Sequence, residues 1–273
     1  MKTVLADQAL ARRLEAVESF VSAQFAEAMK LAFPEAGVEV LEVAGGYAVF
    51  TGRVSPLNQS KGLGMTGPVA ADELDALEEF YFSRGSSVQV VLCPLADASL
   101  VALLGERGYR VAEFENEMSR PLDDEVPAMG AAGVTVRIAD ASEERAYARI
   151  MSQGFFGSDE PPSEYAPFME VRPAGVEAVP MLACVDGQPI AGGMLLRHDG
   201  VGVLCGSCTL PEFRRRGAQN ALIHARLAHA RAAGCDLAKV TTQAGSDSQR
   251  NVERHGFRVA YTRVVMMRDP KRD

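Results

Sequence analysis

Thr209-Leu210-Pro211-Glu212-Phe213-Arg214-Arg215-Arg216-Gly217-Ala218-Gln219-Asn220 joins a stretch that reads as a strand, residues 201–209, to one that reads as a helix, residues 217–233. The physics of such a junction is specific. The first turn of a helix carries backbone N–H groups with no intrahelical partner. Aligned peptide dipoles add partial positive charge at the same end. An anion such as a pyrophosphate is therefore well received there. Gly217 has no β-carbon, so backbone and ligand can approach closely. Arg214, Arg215 and Arg216 form the densest basic cluster in a chain of net charge −8. An ordinary solvated basic turn is the plain alternative; Gly217 and the strand-to-helix context favour the anion site.

The elements around this junction have a definite order. Residues 134–138 read as a strand and 142–151 as a helix. Strands follow at 180–185 and 189–197, with the tight-turn pair Asp186-Gly187 between them. After the helix at 217–233 come a strand at 237–242, a short helix at 247–254 and a strand at 257–267. Alternating strands and helices with one antiparallel hairpin predict an α/β (α+β) fold, a mixed sheet with helices on its faces.

The other half of the chain echoes this one. Gly108-Tyr109-Arg110-Val111-Ala112 returns as Gly256-Phe257-Arg258-Val259-Ala260. Arg84-Gly85, ahead of the strand-like Val88–Leu92, returns as Ala233-Gly234 ahead of Leu237–Val240. The two shifts are 148 and 149 residues, and two echoes in one register point to a tandem fold. Leu10, Leu14, Val17, Val21, Phe25 and Ala28 mark one face of a helix over 7–31. Strands are expected at 38–43, 47–51, 88–92 and 109–118, and helices at 71–82 and 97–105. Pro121, Pro127, Gly130 and Gly133 are linker chemistry. The expected division is a first domain over 1–122, a linker over 123–133 and a second domain over 134–273.

Composition narrows the partners. Hydrophobic residues make up 47% of 273, enough for two cores. The acidic balance argues against nucleic acid, which calls for a basic surplus. Asp7, Arg12, Arg13, Glu15 and Glu18 interrupt any signal-peptide-like run, and no apolar stretch has bilayer-spanning length. Five scattered cysteines suit reduced thiols in a cytoplasm better than a disulfide framework.

The junction and the elements after it resemble the GCN5-related N-acetyltransferase (GNAT) family, over residues 134–268. That family's phosphate loop reads Arg/Gln-x-x-Gly-x-Gly/Ala after a strand and a proline. Arg214, Gly217 and Ala218 fit, while Gln219 stands where a small residue is usual. Gly256-Phe257 matches the family's helix-to-strand break. The resemblance implies two tandem GNAT-like domains, the first a degenerate copy that begins partway through the fold. Its junction, Thr66 to Asp72, has no arginine cluster and carries acidic Asp72, Glu73 and Asp75, so no coenzyme is expected there.

The resemblance also implies a reaction: transfer of an acetyl group from acetyl-CoA to a small-molecule or peptidic amine. The co-substrate would lie between the strand ending at Leu210 and the strand near Val240. Backbone N–H groups of residues 205–209 would hold the thioester oxygen. Thr209, Leu210, Arg214, Arg215, Arg216, Gly217, Ala218, Gln219, Asn220 and Ser248 are the expected coenzyme contacts, Ser248 toward the pantetheine arm. No catalytic acid or base is assigned. The family often places a tyrosine four residues before the Gly-Phe glycine, where this chain has Val252. Tyr261 is the nearest phenol on a neighbouring strand and a weak substitute. Asp159 and Glu160 lie in the loop that covers the acceptor pocket in the resembled family, with a solvated role as the plain reading.

Other motifs read plainly. Cys205 and Cys208, three apart on a strand, face opposite sides unless a bulge intervenes, and are expected to be core thiols. His224 and His229 are five apart on one helix and do not share a face. No metal is expected. Gly62-Leu63-Gly64 is turn or strand backbone, and Arg250 and Asn251 cover the coenzyme or sit at the surface. The alternatives to an enzyme are an acyl-CoA sensor without turnover and an interaction module. A tandem pair is compatible with a monomer that is an internal pseudo-dimer, or with a homodimer.

Overall fold

A computed structural model describes residues 6–53, 55, 57–122, 133–162, 165 and 171–270. The expected linker lies outside the described residues except at its ends. Residue contacts divide the chain into two compact units. The N-terminal unit takes the chain up to Glu117 and adds Val171–Ala174 and the strand from Ala260 onward. The C-terminal unit starts at Met118 and ends at Val259. The units are therefore not sequential halves of the chain.

In the N-terminal unit, α1 (Gln8–Ala32) starts where the Asp7 carboxylate accepts the Leu10 N–H at 2.8 Å. Its apolar stripe is buried at Ala11, Leu14, Val17 and Val21. Strands β1 (Glu39–Val43) and β2 (Gly46–Phe50) form an antiparallel pair, and β3 (Ser60–Lys61) pairs antiparallel with β2. Strand β4 (Val88–Leu92) runs parallel to β3 and antiparallel to β11 (Arg258–Arg268), through Val264–Arg268. Helices α2 (Ala71–Phe82) and α3 (Ala98–Glu106) bury Leu74, Leu77, Tyr81, Leu100 and Leu104 against Val88 and Val90.

The C-terminal unit repeats the same sequence of pairings. It begins with the end of β5 (Arg110–Pro121), then β6 (Val134–Ile138), α4 (Glu144–Phe156), β7 (Glu177–Val185), β8 (Gln188–His198) and β9 (Val201–Thr209). Helix α5 (Ala218–Ala232), β10 (Leu237–Gln243) and α6 (Asp247–Arg254) follow. Strands β6 to β9 are antiparallel neighbours, and β9 pairs parallel with β10. The order antiparallel, antiparallel, parallel thus occurs in both units, from β1 to β4 and from β7 to β10. Strand β10 has β5 on its other side, as β4 has β11. Asp186 and Gly187 both have positive φ, 49° and 80°, as a two-residue hairpin turn requires.

The repeated glycines have a common physical cause. Gly85, Gly108, Gly234 and Gly256 all have φ between 66° and 85°. The residue after each donates its N–H to the carbonyl five positions back: Ser86 to Tyr81, Tyr109 to Leu104, Cys235 to Ala230 and Phe257 to Val252. These are left-handed helix ends, where a β-carbon is disfavoured. The repeat seen in sequence is therefore two matched pairs of helix caps, each delivering a chain into a strand.

Candidate functional site

A cleft in the C-terminal unit follows from how β9 and β10 part. Their ladder holds at Leu237↔Val201, Ala238↔Gly202 and Lys239↔Val203. Beyond it β9 continues to Thr209 and β10 to Gln243, and a cavity of about 800 Å³ opens. Leu204, Ser207, Cys208 and Thr209 of β9 form one wall and Val240 of β10 another. Val252 and Asn251 of α6 and Ile223 and Arg226 of α5 close it, with Gly154 and Phe155 at the end of α4. In the N-terminal unit the strand corresponding to β9 is β3, two residues long, which leaves little strand to diverge. There Glu73 accepts the Ala70 N–H at 2.9 Å and Asp72 the Glu73 N–H at 3.1 Å, so the start of α2 is satisfied by its own carboxylates.

Eight of the ten expected coenzyme contacts line the cavity: Thr209, Arg214, Arg215, Gly217, Ala218, Gln219, Asn220 and Ser248. Arg216 and Leu210 do not. The Arg216 guanidinium lies over the Phe213 ring, 5.2 Å from its centroid. Leu210 spends its N–H on the Ile190 carbonyl at 3.0 Å. The loop backbone turns sharply, with Arg215 at φ 65° and Gly217 at φ 81°. A left-handed arginine costs about 1–2 kcal/mol, and such strain concentrates where a loop is shaped around a ligand. The first intrahelical bond of α5 is Ala221 N–H to Gly217 O at 3.1 Å, so the amides of Ala218, Gln219 and Asn220 precede it. Five arginines line the cavity, at 214, 215, 226, 250 and 254, against one carboxylate, Asp247. In an acidic chain this is a local inversion of charge, suited to a polyanion.

Gln219, the departure from the resembled motif, has a structural role. Its side-chain amide donates to Thr209 Oγ1 at 2.9 Å, and its carbonyl accepts from Ser207 Oγ at 2.8 Å. The side chain thus ties the start of α5 to the end of β9. Ser207 also accepts from Arg226 Nη2 at 3.1 Å. Arg226 is buried and is not among the residues expected from sequence. The available signal was an arginine among Leu222, Ile223 and Leu227 on the apolar face of α5.

A bulge interrupts β9. Met194↔Cys205 and Gly192↔Cys208 leave Gly206 and Ser207 opposite Gly193 alone, and Gly206 has φ 48°. This corrects the expected placement of the two thiols. Partners across a ladder share a face, and Gly192 and Met194 lie on one face, so Cys205 and Cys208 do too. A β-carbon on Gly192 would meet Met151 and Tyr147, and Cys208 Sγ lies 3.1 Å from the Ile150 carbonyl, which identifies that face as the α4 side. Burial pushes the Cys208 thiol up to about 12, which makes it unreactive at neutral pH. Among the described residues no group of three His, Cys, Asp or Glu side chains is arranged to hold a metal ion.

Tyr261 requires a second correction. It belongs to the N-terminal unit, where its hydroxyl donates to Glu15 Oε1 at 2.8 Å. Burial, then the carboxylates of Glu15 and Glu117, push its pKa upward, and it does not line the cavity. Val252 is buried in the cleft wall. Asp159 is engaged by Arg149 Nε at 2.8 Å and by Gln153, and the Arg149 hydrogen bond holds its carboxyl below the usual range. Neither Asp159 nor Glu160 lines the cavity. Arg250 is held by Asp247 and the Gly245 carbonyl at the cavity edge.

Comparison with known proteins agrees with this geometry. Residues 145–257 match the family model of the acetyltransferase (GNAT) family. A GCN5-related N-acetyltransferase from Kribbella flavida is similar in structure, with a TM-score of 0.62 and 23% identity over 92% of this chain and 96% of that one. A GCN5-related N-acetyltransferase from Sphaerobacter thermophilus has a TM-score of 0.58 and 17% identity over 86% and 78%. A tandem GNAT protein from the clavulanic acid biosynthesis pathway has a TM-score of 0.62 and 12% identity over 99% and 98%. No curated protein matches the sequence. Residues 145–257 are thus similar to the GNAT family, and the chain has the fold of a tandem GNAT protein. Among the described residues no helix is long and apolar enough to cross a membrane.

Proposed function

We propose that the C-terminal unit transfers an acetyl group from acetyl-CoA to an amine, and that the N-terminal unit is a tandem domain without a coenzyme site. The observation that carries this reading is the strained 214–217 turn and the first amides of α5 facing a cavity lined by five arginines. Arg214, Arg215 and the amides of Ala218 to Asn220 would receive the diphosphate. Thr209 and Gln219 fix the strand end against the helix start, and Ser248, exposed on α6, borders the arm. The backbone of β9 at its bulge supplies donors for the thioester oxygen as negative charge develops there. Positioning carries most of the rate, since alignment of two bound reactants supplies several kcal/mol.

Five free thiols fit a reducing, cytoplasmic setting. Small-molecule and peptidic amines are both candidate acceptors. A sensor that binds acyl-CoA without turnover is the second reading, favoured by the apolar Val252 where the family often has a phenol. Release of free thiol from acetyl-CoA over a panel of amines separates the two. Turnover above the hydrolysis background supports the enzyme; tight binding with no amine-dependent thiol supports the sensor.

A further inference from the structure

Arg226 is 2% exposed, and its bonds go to neutral groups. Nε donates to Leu222 O at 3.2 Å, Nη1 to Met194 O and Cys205 O at 3.3 Å each, and Nη2 to Ser207 Oγ at 3.1 Å. Among the described residues four of its five N–H donors have partners, and one on Nη2 is left. A charge buried without a counter-ion costs several kcal/mol unless something negative meets it. Arg226 also lines the cavity, whose walls include the apolar side chains of Leu204, Val240 and Val252. It lies nine residues beyond Gly217 on α5, about 13 Å further along the helix axis. An arm anchored by its diphosphate at Gly217 delivers its sulfur down the same cleft.

We propose that the Arg226 guanidinium is the fixed positive charge that stabilises the sulfur anion of CoA, in a cleft whose wall has Val252 in place of a phenol. The inference rests on the acetyltransferase reading. In the reaction the neutral amine nitrogen bonds to the thioester carbon, the carbon–sulfur bond breaks, and its electron pair stays on sulfur. The proton lost by the amine goes to water, and the thiolate is later protonated by solvent. Arg226 donates no proton: burial lowers its pKa, but only to about 10, so the charge persists at neutral pH. The titratable groups around it are Cys205 on β9, Tyr147 on α4, whose hydroxyl lies 3.4 Å from Gly206 O, and His255 after α6.

Proton release on binding free CoA tests this without turnover. Calorimetry at pH 7.5 in buffers of different ionisation heat is run with CoA and with desulfo-CoA, which lacks the thiol. An ordinary thiol has a pKa of about 8.5, and lowering it by about one unit on binding releases about 0.4 proton at this pH. The wild-type protein is expected to release that amount with CoA and none with desulfo-CoA. Arg226→Lys, which keeps the charge but not the fork of bonds, retains at least half the release; Arg226→Met abolishes it while still binding CoA. Binding of CoA with no proton release, the same release with desulfo-CoA, or full release from Arg226→Met overturns the proposal and leaves the acetyltransferase reading intact. Failure of CoA to bind at all brings down both. If Arg226→Met does not fold, the comparison of CoA with desulfo-CoA on the wild-type protein decides.

Discussion

Gln219 and Thr209 stand on different elements, the first turn of α5 and the last residue of β9, and are joined by an Nε2–Oγ1 hydrogen bond of 2.9 Å. The same glutamine reaches Ser207 at 2.8 Å. One side chain thus sets where the helix starts relative to the strand edge.

Gln219→Ala removes both bonds and leaves Thr209 and Ser207 to re-pair. Net hydrogen bonds of this kind contribute about 0.5–1.5 kcal/mol each. The variant is expected to lose about 1–2 kcal/mol of stability in denaturant melts. CoA affinity in calorimetry falls with it, because the amides of the first turn lose their fixed position.

Arg215→Gly should separate stability from binding. At φ 65° the arginine is strained, and glycine is not. Relief of about 1–2 kcal/mol is partly offset by the greater freedom of glycine in the unfolded chain. A gain of about 0.5 kcal/mol is expected in chemical denaturation, together with a several-fold weaker Kd for CoA from the lost guanidinium. A variant that binds CoA as well as the wild type removes Arg215 from the anion site.

His255 makes stability depend on pH. Burial, then the positive charge of Arg120, lowers its pKa from 6.5 to about 4. Its ring Nε2 lies 3.4 Å from Asn220 Oδ1, and its carbonyl accepts from Arg120 at 2.5 Å. The unfolded chain takes up the proton near pH 6.5 and the folded one only near pH 4. The contribution is therefore complete above about pH 6.5 and is lost as pH falls to about 4, by about 2–3 kcal/mol. Denaturant melts across that window should show the slope, and His255→Asn should flatten it.

Much of the fold was legible in sequence because the deciding signals are local. The helix stripe from Leu10 to Val21, the Asp186-Gly187 turn and the four cap glycines each act through their immediate neighbours. The turn at 214–217 that borders the cavity was legible for the same reason, since Gly217 and the arginines are sequence neighbours. The exchange of strand ends was not, because β11 beyond Ala260 pairs with β4, whose residues lie more than 170 positions earlier. Nor was the bulge at Gly206-Ser207, which depends on β8 opposite, and with it the facing of Cys205 and Cys208. Tyr261 was misplaced for the same long-range reason. Arg226 was missed because an arginine inside an apolar helix face reads as a surface break until the burial around it is known.

In the proposed function the amides at the start of α5 and the arginines beside them hold the diphosphate of CoA. Titration calorimetry of CoA into the wild-type protein and into Gly217→Val tests it most directly, since valine at φ 81° distorts the loop while Arg214 and Arg215 remain in the chain. Saturable binding to the wild type is expected, with a Kd at least about tenfold weaker, or about 1.4 kcal/mol, for a folded Gly217→Val. Equal affinity in the two proteins, or no heat of binding in the wild type, would contradict it.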